Sequence, residues 1–156
     1  MRKMLCSFRS KNLIAFLAFF ILLSDQTSKW LVVNSMIPGE CRYVLPFFNI
    51  VMVKNSGITF GMLGGIASPS FLIFLSIIVI MLMLIWVRKN EQYALPVTLI
   101  ISGAIGNIID RIIYGSVVDF LDFHLFEYHW PAFNIADSAI VIGSAILFFI
   151  SFGEKT

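Results

Sequence analysis

Residues 94–113 read ALPVTLIISGAIGNIIDRII. The stretch is long and apolar enough for a helix that crosses a bilayer, which needs about 20 residues. Its second half nevertheless carries Asn107, Asp110 and Arg111. With Gly103 and Gly106 these residues follow the i, i+3, i+4, i+7, i+8 spacing of a single helical face. An ionisable group facing lipid costs about 2.5–3.5 kcal/mol even on the lenient insertion scale. The face is therefore predicted to turn inward, where the two glycines let another helix approach closely. The polar groups then have to meet partners on other helices.

The rest of the chain supports a membrane setting. Of 156 residues, 59% are hydrophobic and only 13% charged, against about 25% charged in soluble domains. A net charge of +2 gives no case for nucleic acid as a partner. The N-terminus resembles a signal peptide, with Arg2, Lys3, Arg9 and Lys11 before an apolar core from Leu13 to Leu23. No A-x-A-like cleavage site follows, and the run resumes as WLVV, so the segment reads as a retained anchor. Cys6 and Cys41 flank this run and are placed on opposite sides of the membrane, so no disulfide is expected between them.

Four spans emerge, at about residues 13–33, 70–87, 94–113 and 134–152. Ser68 and Pro69 supply a start signal for the second. The predicted fold class is an all-α membrane protein of four transmembrane helices, with residues 1–156 as a single domain. The N-terminal cations, the Arg88-Lys89 turn and Lys155 all fall on one face, which the positive-inside rule makes cytoplasmic, with both termini. Residues 34–69 and 114–133 then lie outside. In the first of these, FNIVMVKNSGITFGML reads partly as strand, with Asn55-Ser56-Gly57 as turn material.

This layout puts Asp25, Asn107, Asp110, Arg111, Asp119, Asn134 and Asp137 near one depth, close to the outer surface. Asp25 and Lys29 stand at i and i+4, a favourable helical order for an ion pair. A purely structural reading is available for several of them. Arg111 would neutralise Asp110, Asn107 would bridge helices, and Asn134 would cap a helix whose first turn favours the Asp137 carboxylate. Asp119 is harder to explain locally, because nothing in VVDF asks for a charge. Asp122 reads as more exposed, ordinary loop chemistry. Two carboxylates held close cannot both ionise easily and come to share a proton. One can then activate water while the other donates to a carbonyl oxygen. Asp119 and Asp137 are the best candidates for such a pair, provided that the loop between them folds back.

Other chemistries lack their residues. His124 and His129 form no HExxH pattern, and with Tyr128 and Trp130 they read as part of an interfacial aromatic belt. No metal site and no cofactor is expected. No G-x-S-x-G is present, and Gly61 to Gly65, GMLGG, lacks the Lys and Ser/Thr of a phosphate loop. A proton- or ion-coupled transporter would use the same aspartates, but such sites lie near the midplane between repeats. A non-enzymatic membrane scaffold leaves Asp119 unexplained.

The stretches DQTSK at 25–29, KNSGITFG at 54–61, GAIGNIIDRIIYGSVVDFLDF at 103–123 and FNIADSAI at 133–140, in that order across four spans, closely resemble the lipoprotein signal peptidase (signal peptidase II) family. The resemblance implies an aspartyl endopeptidase of the bacterial cytoplasmic (inner) membrane, working without a metal at the extracytoplasmic surface. It implies removal of signal peptides from diacylglyceryl-modified prolipoproteins, immediately before the lipidated cysteine. By the same resemblance Asp119 and Asp137 are the catalytic pair, supported by Asp25, Asn55, Asn107, Asp110, Arg111 and Asn134. A small β-like cradle between spans one and two would cover the site. The expected partners are lipid-modified prolipoproteins and membrane lipids, with the enzyme a monomer. Two departures from the family pattern stand out. Ile58-Thr59 replaces the usual pair of alanines, and Ser102 precedes Gly103.

Overall fold

The computed structural model describes residues 2–57 and 68–153, the side chains of residues 2–11 excepted. Ile58, Thr59 and the 61–65 glycine run lie outside the described residues, as do the side chains of the N-terminal cations and Cys6, and Lys155. The order of elements is α1 (Arg2–Ser35), β1 (Cys41–Leu45), β2 (Phe48–Asn55), α2 (Pro69–Val87), α3 (Ala94–Tyr114), β3 (Val117–Leu125), β4 (Tyr128–His129) and α4 (Ile135–Gly153). Four helical stretches are long and apolar enough to cross a membrane: Asn12–Ser35, Pro69–Val87, Glu91–Tyr114 and Ile135–Gly153. Their bounds match the spans expected from sequence to within a few residues.

Local chemistry sets several of these ends. Ser68 caps α2, its Oγ accepting from the backbone N of Phe71 at 3.2 Å, and Pro69 opens the helix. Gly115 ends α3 in the left-handed region at φ 71°, and its N–H donates to the Arg111 carbonyl at 3.1 Å. Asn134 caps α4, its Oδ1 accepting from Asp137 N at 2.8 Å.

Helix α3 is the central post, packed against α1, α2 and α4. Its glycines make this possible. A Cβ at Gly103 would run into the carbonyl of Ala136, and one at Gly106 would lie 2.7 Å from Asp25 Oδ2. The inward turn expected of this face is what the structure shows: Gly103, Gly106, Asn107 and Asp110 are all buried. By contrast, α2 buries Leu72 alone. Its remaining surface is apolar and suited to lipid.

The four strands form one antiparallel array in the order β1-β2-β3-β4. The sheet forms from the chain segments that join α1 to α2 and α3 to α4. The expected strand character of the first segment is present. The all-α label and the placing of the cradle between spans one and two are too narrow, however, because β3 and β4 come from the segment that joins α3 to α4. The sequence VVDFLDFHL hides its period because four consecutive residues, Val117 to Phe120, are buried. One side of β3 packs Val118 and Phe120 with Val32, Met36 and Met52 as the core under the sheet.

Candidate active site

The site lies where β3, α3 and the first turn of α4 converge. Asp119 is 2% exposed, paired across the sheet with Val53 of β2. Its Oδ1 accepts from Asn134 Nδ2 at 2.7 Å and its Oδ2 from Asn55 Nδ2 at 2.9 Å. Asp137 Oδ1 accepts from Asn107 Nδ2 at 2.8 Å. The loop does fold back as the pairing requires, and Asp119 and Asp137 line the same cavity of about 670 Å³. Burial raises the Asp119 carboxyl first, and the neighbouring charge of Asp137 adds to it. Together they outweigh the hydrogen bonds from Asn55 and Asn134 and the charge of Lys29, pushing the group up to about 7. At neutral pH such a group is populated both as acid and as base.

Each asparagine has its amide orientation fixed by a second contact. Asn134 spends its oxygen on capping α4, so its nitrogen faces Asp119. Asn107 spends its oxygen on Lys29 Nζ at 3.1 Å, so its nitrogen faces Asp137. Asn55 gives its oxygen to Gly57 N at 2.9 Å and its nitrogen to Asp119. The backbone is therefore shaped around the carboxylates by the groups that also position them.

Arg111 does not neutralise Asp110, contrary to the structural reading of the sequence. Its guanidinium donates to the Gly57 carbonyl at 2.8 Å and the Asn107 carbonyl at 3.2 Å, tying the end of β2 to α3 over the cavity. The counter-ion of Asp110 is Lys29, at 2.9 Å, which also pairs with Asp25 at 2.8 Å. Lys29 is 1% exposed. The i, i+4 spacing to Asp25 gave away the first contact, but no local signal marks the second, which crosses from α1 to α3.

Asp122 is also not the exposed loop residue expected. It is 5% exposed, on the sheet face opposite Asp119. It accepts from Asn49 Nδ2 at 2.9 Å and pairs with His129 Nδ1 at 2.9 and 3.0 Å. Burial pushes this carboxyl up, but the bonds from His129 and Asn49 more than offset that and leave it below the ordinary carboxylate value. His124 and His129 stack at 4.8 Å. Cys41 is free and exposed.

The cavity continues from the carboxylates between α2 and α4. Leu72, Leu75 and Val79 line one side, Ile140 and Val141 the other, and Ile100 and Ala104 of α3 the floor. It is a polar end joined to an apolar trough. A sequence model of the family described as signal peptidase (SPase) II matches residues 17–153, nearly the whole chain. The chain belongs to the signal peptidase II family. Among its relatives is the lipoprotein signal peptidase of Thermodesulfovibrio yellowstonii, 46% identical over 125 residues, which cover 80% of this chain and 84% of that protein. The lipoprotein signal peptidase of Alteromonas mediterranea is 43% identical over 150 residues, 91% of this chain and 81% of that protein. Among solved structures, a bacterial membrane enzyme determined by the in meso method superposes with a TM-score of 0.85 at 31% identity, covering 93% of this chain and 90% of that one. Membership of the signal peptidase II family makes the chain a membrane peptidase.

Proposed function

We propose that Asp119 and Asp137 are the catalytic pair of a lipoprotein signal peptidase that cuts diacylglyceryl-modified prolipoproteins immediately before the lipidated cysteine. The peptidase activity on prolipoproteins follows from the family. The assignment of the pair is carried by one observation: a buried carboxylate, Asp119, and a half-buried one, Asp137, on different elements face one cavity, each held by an oriented amide. In the ionised member the pair has a base for water. In the protonated member it has an acid for the scissile carbonyl oxygen. Water attacks the carbonyl carbon and gives its proton to the base, while the acid protonates the oxygen. The tetrahedral intermediate then collapses: the C–N bond breaks as the leaving amine takes a proton from the former base, and a hydroxyl of the intermediate returns its proton to the former acid. Asn55, Asn107 and Asn134 hold the carboxylates, Asp25 and Asp110 hold the backbone beside them, and Arg111 fixes the end of β2.

The apolar trough fits the substrate's other requirements. Leu72, Leu75, Val79 and Val141 offer a lipid-like surface beside the polar end, where acyl chains or the apolar part of a signal peptide stay out of water. The reading places residues 1–156 in one peptidase domain, acting as a monomer in the inner membrane. It puts the sheet and the pair outside, and both termini in the cytoplasm, by the positive-inside rule.

The deciding experiment incubates the purified protein in detergent with a precursor carrying the diacylglyceryl group and with the same precursor unmodified. Mass spectrometry should find one cut, just before the lipidated cysteine, in the modified precursor alone. Equal turnover of the unmodified precursor would overturn the proposed substrate. Membrane-impermeant labelling of cysteines placed at Tyr128 and at Lys89, in a protein whose Cys6 and Cys41 are replaced by serine, tests the orientation, with only the first expected to react from outside.

A further inference from the structure

Asp119 belongs to β3 and Asp137 to α4, so neither element alone fixes the distance between their carboxylates. Helix α1 supplies what they lack. Asp25 Oδ1 accepts from the backbone N of Ala136, the residue before Asp137, at 2.8 Å. Asp110 Oδ2 accepts from the backbone N of Val118, the residue before Asp119, at 3.0 Å. Lys29 Nζ joins these two acids, 2.8 Å from Asp25 Oδ2 and 2.9 Å from Asp110 Oδ2. A continuous path therefore runs from Ala136 N through Asp25, Lys29 and Asp110 to Val118 N. The three side chains in it are 1% exposed or less. The third contact of the ammonium is Asn107 Oδ1, which turns Asn107 Nδ2 onto Asp137.

We propose that Lys29 is a positioning residue: it braces the two backbone points beside the carboxylate pair and orients the Asn107 amide, and so sets the spacing of the pair. The proposal rests on the reading of Asp119 and Asp137 as catalytic. Charge neutralisation alone accounts for less of what is seen. One ammonium between two carboxylates leaves a net negative charge, and the contact with Asn107 neutralises nothing. An ammonium has three donors, and all three are used on groups that lead directly to the pair.

The brace is also electrical. Asp119 faces Asp137 from α4, Arg111 from α3 and Lys29 from α1, with Asn55 on β2 beside it. The charge of Lys29 holds Asp119 down against burial and Asp137. Without that charge Asp119 titrates higher, and the acid limb of the rate profile moves to higher pH.

Lys29→Met tests this, but it strands two buried carboxylates and threatens folding. The second variant is Lys29→Met with Asp110→Asn, which keeps the net charge of the cluster. Asp110→Asn alone is its reference, because the amide oxygen still accepts from Val118 N. Cleavage of the lipidated precursor is measured from acid to alkaline pH, per molecule recovered as folded protein by size exclusion. Relative to the reference, the double variant should lose about 10²-fold in kcat, with KM little changed and the acid limb displaced upward. An unchanged kcat and pH profile overturns the brace. Failure of both Lys29 variants to fold assigns Lys29 to folding alone and overturns it too. Asp119→Asn and Asp137→Asn are run beside them. If these two also cleave at full rate, the catalytic reading has failed; if they are dead and the double variant is fully active, only the brace has.

Discussion

Asp25 and Asp110 share the Lys29 ammonium at 2.8 and 2.9 Å, and each also accepts from a backbone N–H group. Asp119 and Asp137 are met by the amides of Asn55, Asn134 and Asn107, and among the described residues neither forms an ion pair. The four acids occupy one polar layer and are of one residue type. The first pair shares one counter-ion and has its geometry fixed by backbone N–H groups. In the second pair Asp119 is buried and Asp137 half-buried, and both face a cavity. On the reading of Asp119 and Asp137 as the catalytic pair, what each carboxylate is given to bind sets its role, not the carboxylate as such.

The sharpest way to break this contrast is to remove the titrating proton. Asp119→Asn and Asp137→Asn keep size and most hydrogen bonds, yet neither amide can act as acid or base. Each should lower the cleavage rate by about 10²–10⁴-fold while the protein stays folded and membrane-inserted. Near wild-type rates in either variant would dissolve the distinction between the pairs.

The opposite behaviour is expected of the other pair. Asp25→Ala removes one side of a buried ion pair and leaves Ala136 N without its acceptor. Breaking such a pair typically costs about 3–5 kcal/mol. Thermal unfolding should show the loss first, and activity per folded molecule should fall less than in the Asp119 variant. A stable but inactive Asp25→Ala would place Asp25 with the chemistry instead.

Much of this contrast was legible in the sequence. The face Gly103, Gly106, Asn107, Asp110 is buried as its helical spacing required, because a period of 3.6 survives any tertiary context. The motifs resembling signal peptidase II led to a family to which the chain does belong. Other features were illegible for physical reasons. The sheet half formed by β3 has no alternating pattern, since both of its faces are covered near Asp119. The partner of Arg111 is a backbone carbonyl at Gly57, and backbone acceptors leave no mark in a sequence. Asp122 was misread because its partners, the buried Asn49 and the exposed His129, come from separate strands.

A subtler consequence concerns pH and stability. Asp119 is raised from 3.8 to about 7 in the folded protein. Between those values the folded state holds a proton that the unfolded chain has released, so folding weakens as pH rises through this window. Asp119→Asn removes that penalty. The variant should unfold at a higher temperature than the parent at pH values above about 7, and the gap should close towards acid pH. A gap that widens on acidification would reverse the sign and place Asp119 among the paired, ionised acids.

The smallest effect is expected at Asp122, and it tests whether burial alone makes an acid functional. Asp122 is almost as buried as Asp119. It lies on the other face of β3, away from the cavity, and its carboxyl is held low by His129 and Asn49 despite burial. Its bonds close the sheet where β2, β3 and β4 meet. Asp122→Asn keeps the shape but loses the charge that His129 meets. Half of the His129 side chain is exposed, and solvent screens such a pair, so the loss should be about 1 kcal/mol or less. The sign follows from the lowered pKa. The contribution of Asp122 is present above the ordinary carboxylate range and is lost as pH falls through the lowered value. The variant should therefore melt slightly below the parent at neutral pH and match it in acid. Its cleavage rate should stay close to that of the parent throughout. A large loss of rate without a loss of stability would mean that the outer end of the sheet takes part in holding substrate, and the line between working and structural acids would have to be moved outward from the cavity.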